Sequence, residues 1–135
     1  MLIRPLSALV SVSGQIEVTD IPEIAAAGFA VLVNHRPDGE ETRQPTTEAL
    51  EHAALAHGLT LIAAPVRGLP EATAVEITAR ALADLSEDRQ ALLFCRSGMR
   101  SAAAWAMAER LNGASSESLR AAAASAGFDL SQLPL

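Results

Sequence analysis

Short apolar runs alternate with stretches of helical periodicity along this chain. Ala8 to Val12 reads as a strand closed by Ser13-Gly14. Thr19 or Asp20 can cap a helix with Pro22 in its first turn and Gly28 at its end. Phe29 to Asn34 then reads as a buried strand, followed by a polar loop from His35 to Pro45. Thr46 or Thr47 caps the next helix, which ends at Gly58; Leu50, Ala53, Ala54 and Leu55 are its expected apolar face, with Glu48, Glu51 and His52 in solvent. Leu59 to Val66 is the next strand, and Arg67-Gly68-Leu69-Pro70 leads into a helix from about Ala72 to Leu85. After a polar turn, Ala91 to Phe94 is a short strand that runs straight into Cys95. Helices over Ser101 to Leu111 and Ser116 to Ala126 follow, and the tail is expected to pack down by Phe128 and Leu130. Wholly apolar strands between helices call for a sheet covered on both faces. The predicted fold is α/β, a three-layer sandwich with a mainly parallel sheet, in one domain over residues 1–135.

Composition sharpens this picture. Half of the residues are hydrophobic, yet there are three Phe, one Trp and no Tyr, so the core must be aliphatic, with Trp105 expected inside it. The net charge of −6 speaks against a nucleic-acid partner, which would call for a basic face. All ten basic residues are Arg, which removes every lysine-based mechanism, Schiff bases and Walker-type phosphate loops included. The single cysteine rules out an intrachain disulfide and a thiolate-cluster metal site. It also fits a reducing compartment. No apolar run suits a signal peptide or a membrane span, so a soluble, cytoplasmic protein without membrane contact is expected. His35, His52 and His57 form no metal pattern, and no cofactor is expected.

The chemistry concentrates in Leu93-Phe94-Cys95-Arg96-Ser97-Gly98-Met99-Arg100-Ser101. A buried strand ends at a cysteine, a loop with a central glycine follows, and a helix begins. A helix start offers unpaired N–H groups and partial positive charge. Gly98 lets the loop curl so that the N–H groups from Arg96 to Ser101 point inward as an anion nest. Arg96 and Arg100 add full charges, and Ser101 is placed to donate its hydroxyl to the sulfur. A cysteine so surrounded is expected to be held as a thiolate near neutral pH. Cys95 and Arg100 are the expected catalytic pair, and Arg96, Ser97, Gly98, Met99 and Ser101 the expected substrate-binding residues. Met99 brings no chemistry of its own. The alternative is a buried, inert cysteine at a strand end.

This loop resembles two groups of thiol enzymes. Rhodanese-type sulfurtransferases often carry a Cys-Arg-Ser-Gly-x-Arg-Ser loop, whereas tyrosine and dual-specificity phosphatases place five residues between Cys and Arg, after a His. More widely, Val10-Ser11-Val12-Ser13-Gly14-Gln15, Asn34-His35-Arg36-Pro37-Asp38-Gly39-Glu40 and the cysteine loop together are similar to the bacterial beta-lactamase hydrolase-like protein family with its phosphatase-like domain. That resemblance covers roughly residues 7 to 130 and implies a dual-specificity-phosphatase-like fold. Some members of the family are labelled sulfur transferases, and some are fused to a metallo-beta-lactamase-like, persulfide-handling domain. A persulfide-handling protein of that kind is thus an implied partner, beside a small-molecule anion or persulfide donor.

Two departures separate the chain from the phosphatases. Only four residues lie between Cys95 and Arg100, and Phe94 stands where the phosphatases have His. The stretch about thirty residues before the cysteine, Leu61 to Gly68, holds no acid, leaving Glu71 or Asp38 as candidates for protonating a leaving group. A smaller nest suits a terminal sulfur, and a leaving thiolate needs no acid. Persulfide transfer through Cys95 is therefore the first expectation. Phosphate-ester hydrolysis by the same machinery is the second, and non-catalytic anion or persulfide sensing the third. Arg36 and Asp38 are expected at the rim of the pocket, though an ordinary Arg–Glu loop would also account for the motif; His35 is a weaker candidate, and His52 and His57 are read as solvated.

Overall fold

The computed structural model describes all 135 residues. Its strands are β1 (Ile3–Pro5), β2 (Val10–Ser13), β3 (Phe29–Asn34), β4 (Thr60–Ala63) and β5 (Gln90–Phe94). Its helices are α1 (Ile21–Ala26), α2 (Thr47–Ala56), α3 (Ala72–Ala83), α4 (Met99–Leu111) and α5 (Ser116–Ser125), with a 3₁₀ turn at Val18–Asp20. The strands form one sheet in the order β1-β2-β5-β3-β4. Every pairing is parallel except β1 with β2, so the α/β reading with a mainly parallel sheet holds.

Side-chain alternation sends each strand's residues to two different layers. Val10, Val12, Val31, Val33, Ala91 and Leu93 join the larger core cluster with α3, α4, α5 and the tail. Leu32, Leu61, Leu92 and Phe94 join the smaller cluster with Ile21, Ile24, Leu50 and Ala54 on the opposite side. Burial on both faces is why these strands read as continuous apolar runs. The core is aliphatic, with Trp105 in the larger layer; Phe128 and Leu130 seat the tail as expected, and Leu133 joins them.

Four sequence expectations change. β1 was unforeseen: three residues ending in Pro5 make a weak signal, and this antiparallel edge strand depends on β2 for its partner. The Leu59–Val66 run leaves the sheet after Ala63, where Pro65 cannot supply a ladder N–H. Helix α4 starts at Met99 with Gly98 as its cap, two residues before the expected start. Leu55, expected on the buried face of α2, is 76% exposed, since Leu50 and Ala54 already fill the contact.

The register fixes the position of the site. Ser13, Phe94 and Asn34 are neighbours across β2, β5 and β3, and Ala63 pairs with Asn34. The loops beginning at Gly14, Cys95, His35 and Ala64 therefore leave the same carboxyl edge side by side, where open α/β sheets place their sites.

Leu92 on the central strand is fully buried. Leu92→Ala is expected to lower the unfolding free energy by about 2–5 kcal/mol, while Leu55→Ala changes it by less than about 0.5 kcal/mol. Urea titration of both variants checks the assignment of faces.

Candidate active site

Cys95 is the first residue beyond β5 and is fully buried. Backbone bonds pin the loops around it: Gln15 N–H donates to the Arg96 carbonyl at 3.2 Å and His35 N–H to the Phe94 carbonyl at 2.9 Å. Val66 N–H donates in turn to the His35 carbonyl at 2.7 Å. Gly14 is required here by space, because a Cβ at that position would lie 2.9 Å from the Arg96 carbonyl oxygen.

The cysteine loop curls as its glycine suggested. Gly98 has φ 98°, in the left-handed region that favours glycine. The turn brings Gly98 N–H to 3.1 Å from Cys95 Sγ, so the thiol already accepts from the backbone. A Cβ on Gly98 would also press on Phe128 at 3.1 Å, which ties the loop to the tail.

Arg100 reaches over the site from the first turn of α4. Its Nη1 donates to Glu40 Oε2 and to the Val66 carbonyl, and its Nη2 to Glu40 Oε1, each at 2.8 Å. Bonding to Glu40 first, and the charge of nearby Cys95 further down, hold the Arg100 pKa above its ordinary value. Glu40 Oε1 also accepts from Arg36 Nε at 2.9 Å, so one carboxylate bridges two guanidiniums. The Arg100 hydrogen bonds are the main reason that the Glu40 pKa falls to about 2. Arg36 is buried and completes its fork on Gln15 Oε1 at 3.0 Å and Glu41 Oε1 at 3.1 Å. Glu41 in turn meets Arg96 Nε at 3.1 Å. Three guanidiniums against two carboxylates leave this cluster one positive charge in excess beside Cys95.

The remaining predicted residues fall into distinct places. Arg36 lies beneath the rim rather than on it, as the buried anchor of Glu40 and Glu41. Asp38 turns away, accepting from the backbone N–H and hydroxyl of Thr47 at 2.9 and 2.8 Å, and so holds the start of α2. Glu71 precedes α3 as its cap residue and is exposed. Ser97 and Met99 are exposed, and Arg96 is 70% exposed. Ser101 does not bond the sulfur; its hydroxyl lies 2.8 Å from His35 Nδ1. His52 and His57 are exposed, as expected.

Three participants were missed or underrated. The sequence marks Glu40 as one half of a loop pair; its spacing of four from Arg36 allows an ion pair but cannot reveal the partner sixty residues on. Gln15 gave no signal. His35 is wholly buried between Ser101 and Thr78, with Nε2 2.9 Å from Thr78 Oγ1. Burial first, and the positive charge of Arg100 second, push its pKa down to about 3, so the ring is neutral.

Residues 3–112 match the family described as beta-lactamase hydrolase-like protein, phosphatase-like domain. The chain belongs to this family. Beta-lactamase hydrolase-like proteins of Xylella fastidiosa, strain Temecula1, and Agrobacterium fabrum are 31% and 32% identical over 131 and 103 residues. Those alignments cover 96% and 76% of this chain, but only 30% and 24% of the relatives, so the domain spans less than a third of either. Among solved structures, a candidate phosphatase from Neisseria meningitidis superposes with a TM-score of 0.80 at 25% identity, covering 98% of this chain and 93% of its own. Kinase-associated phosphatase, solved with its catalytic-site cysteine replaced by serine, superposes at 0.75 with 17% identity, covering 93% and 83%. The fold of this family member is thus the dual-specificity-phosphatase-like one that its motifs implied. No helix is long and apolar enough to cross a membrane.

Two outcomes follow for this domain. Gly98→Val forces a β-branched residue into the left-handed region and against Phe128. It should cost at least about 1–2 kcal/mol in urea unfolding and abolish most Cys95 reactivity. The second concerns acid. Because the folded His35 resists protonation until about pH 3, the unfolded chain binds the extra proton below pH 6.5, and stability falls as pH falls. From pH 7.5 to 5.5 that one site should remove about 1.4 kcal/mol, a loss absent from His35→Asn. Glu40 acts in the same direction lower down, its contribution present above pH 4.5 and lost toward pH 2. Urea titrations at the two pH values check the His35 difference.

Proposed function

We propose that Cys95 is the nucleophile of a group-transfer enzyme and that the group it carries is a sulfane sulfur. The observation that carries this reading is the short loop, four residues from Cys95 to Arg100, with no acid poised over it. Asp38 is engaged by Thr47, Glu71 stands exposed at the start of α3 with no side-chain bond to that helix, and Glu40 is held as a carboxylate by Arg100. A phosphate monoester of an alkyl alcohol needs its leaving oxygen protonated, help typically worth about 10²–10⁴ in rate. Sulfur transfer has no such need. With thiosulfate, the Cys95 thiolate attacks the outer sulfur, the S–S bond breaks, and sulfite leaves with the bonding pair. The product is a Cys95 persulfide, whose terminal sulfur sits among the loop N–H groups and the excess positive charge. An acceptor thiolate then attacks that sulfur and Cys95 leaves as the thiolate. No external oxidant is consumed.

Phosphoryl transfer is the competing reading, and the comparisons favour it: the family's domain is phosphatase-like, and the fold neighbours include phosphatases. The clamp of Glu40 on Arg100 serves either chemistry, since both require a fixed cation over an anion. A third reading, an anion- or persulfide-sensing partner protein, uses the same loop without turnover.

Mass spectrometry of Cys95 after exposure to thiosulfate or a low-molecular-weight persulfide, run beside phosphoserine and phosphotyrosine peptide hydrolysis, distinguishes the three. The expected result is a mass gain of one sulfur on Cys95, its transfer to cyanide or a thiol, and loss of both in Cys95→Ser. Efficient peptide dephosphorylation that Cys95→Ser abolishes, with no persulfide on the wild type, would establish the phosphatase instead. A persulfide that forms but never transfers would leave the sensor.

A further inference from the structure

His35 is the one fully buried titratable side chain for which neither sulfur nor phosphoryl transfer has a chemical use. Its hydrogen bonds nevertheless have a determined direction. Thr78 Oγ1 lies 2.8 Å from the Ala74 carbonyl one turn back in α3, and a carbonyl only accepts. The single hydroxyl proton of Thr78 therefore points to Ala74. At 2.9 Å from His35 Nε2, the same oxygen must then accept, which places a proton on Nε2. The ring is neutral in a site without water exposure and beside the Arg100 guanidinium. A neutral ring protonated at Nε2 has a bare Nδ1, so Ser101, 2.8 Å away, donates its only hydroxyl proton to the imidazole.

We infer that His35 is a positioning residue of the Cys95 loop: as the Nε2–H tautomer it takes the Ser101 proton, clamps the first turn of α4 between β3 and α3, and leaves backbone N–H groups and arginine as the donors to an anion on Cys95. Ser101 is the residue after Arg100, so this clamp also sets where the Arg100 guanidinium begins its reach to Glu40 and Val66. Small misplacements of an anion-binding group can cost up to about 10²-fold in rate. Neutrality belongs to the same design, because an imidazolium there would repel Arg100 and leave Ser101 facing a second donor. The inference rests on Cys95 being the reactive anion-site thiol, but not on whether sulfur or phosphorus is carried.

The test uses the whole protein and needs no physiological substrate. Nitrogen NMR of labelled wild type should show His35 protonated at Nε2 and bare at Nδ1 near neutral pH; the reverse tautomer would overturn the inference. The anion site is read by the ratio of Cys95 alkylation rates with iodoacetate and iodoacetamide, which differ in charge. His35→Leu keeps bulk but removes both bonds, and should lower that ratio about tenfold. His35→Asn keeps an acceptor near the Nδ1 position and should recover it to within about threefold. An unchanged ratio in folded His35→Leu, with stability alone reduced, would make His35 a packing residue and end the proposal. If His35→Leu fails to fold, Thr78→Val, which leaves Nε2–H unpaired, carries the same comparison: a lowered ratio supports the clamp and an unchanged one overturns it. A wild type with no preference for iodoacetate would instead remove the anion site itself, and the clamp with it.

Discussion

One carboxylate, that of Glu40, holds the site in shape. It accepts from Arg100 with both oxygens and from Arg36 with one of them. Arg36 is buried, and a buried guanidinium without partners would be strongly destabilising. Its fork is met by Glu40, Glu41 and Gln15, which come from the two loops after β3 and β2. Arg100 comes from the start of α4. The same ion cluster thus joins three loop systems and fixes a cation over the cysteine. Because Arg100 keeps Glu40 ionised far below neutral pH, the cluster does not loosen in the ordinary working range.

The geometry around Cys95 is layered in a way that separates jobs by chemistry. The charged layer, Arg36, Arg96, Arg100, Glu40 and Glu41, lies toward the loops and sets the field. The neutral polar layer, His35, Ser101 and Thr78, lies within the protein and orients the helix start. The cysteine loop adds a backbone donor of its own, Gly98 N–H, to the sulfur. A hydroxyl on Ser101 aimed at the thiol looks natural from the sequence. The structure gives that proton to His35 instead, and the nest is left to backbone donors, which have fixed direction and need no side-chain ordering.

Fold and chemistry are separable in this domain. The fold is shared with a phosphatase-like architecture. Which group the cysteine carries depends on loop length and on the placement of acids, features that vary on a common frame. Here the loop has four residues between Cys95 and Arg100, Asp38 is bound at the start of α2, and Glu40 is bound to Arg100. On the proposed reading the leaving group departs unprotonated, a condition that thiolates and sulfite meet better than alkoxides.

Several features followed from the sequence itself. Apolar strands buried on both faces and separated by helical stretches call for a sheet between helices, so the α/β class was legible, with β3 at its observed bounds and β5 to within one residue. Gly98 was legible for a similar reason: a strand turning into a helix within a few residues needs a residue that tolerates positive φ, and its φ is 98°. Cys95 and Arg100 lie in one local segment, so their meeting was legible too. What the sequence could not settle were contacts across sequence separation. Glu40 meets Arg100 sixty residues away, and His35 meets Ser101 sixty-six residues away. Those meetings exist because β3 and β5 are neighbours in register, Asn34 beside Phe94, and strand order is not encoded in any single strand's pattern. Asp38 shows the converse: its place at a carboxyl edge suggested the pocket, but its side chain satisfies the nearest unpaired helix donor, Thr47 N–H, and only the tertiary structure chose between the two.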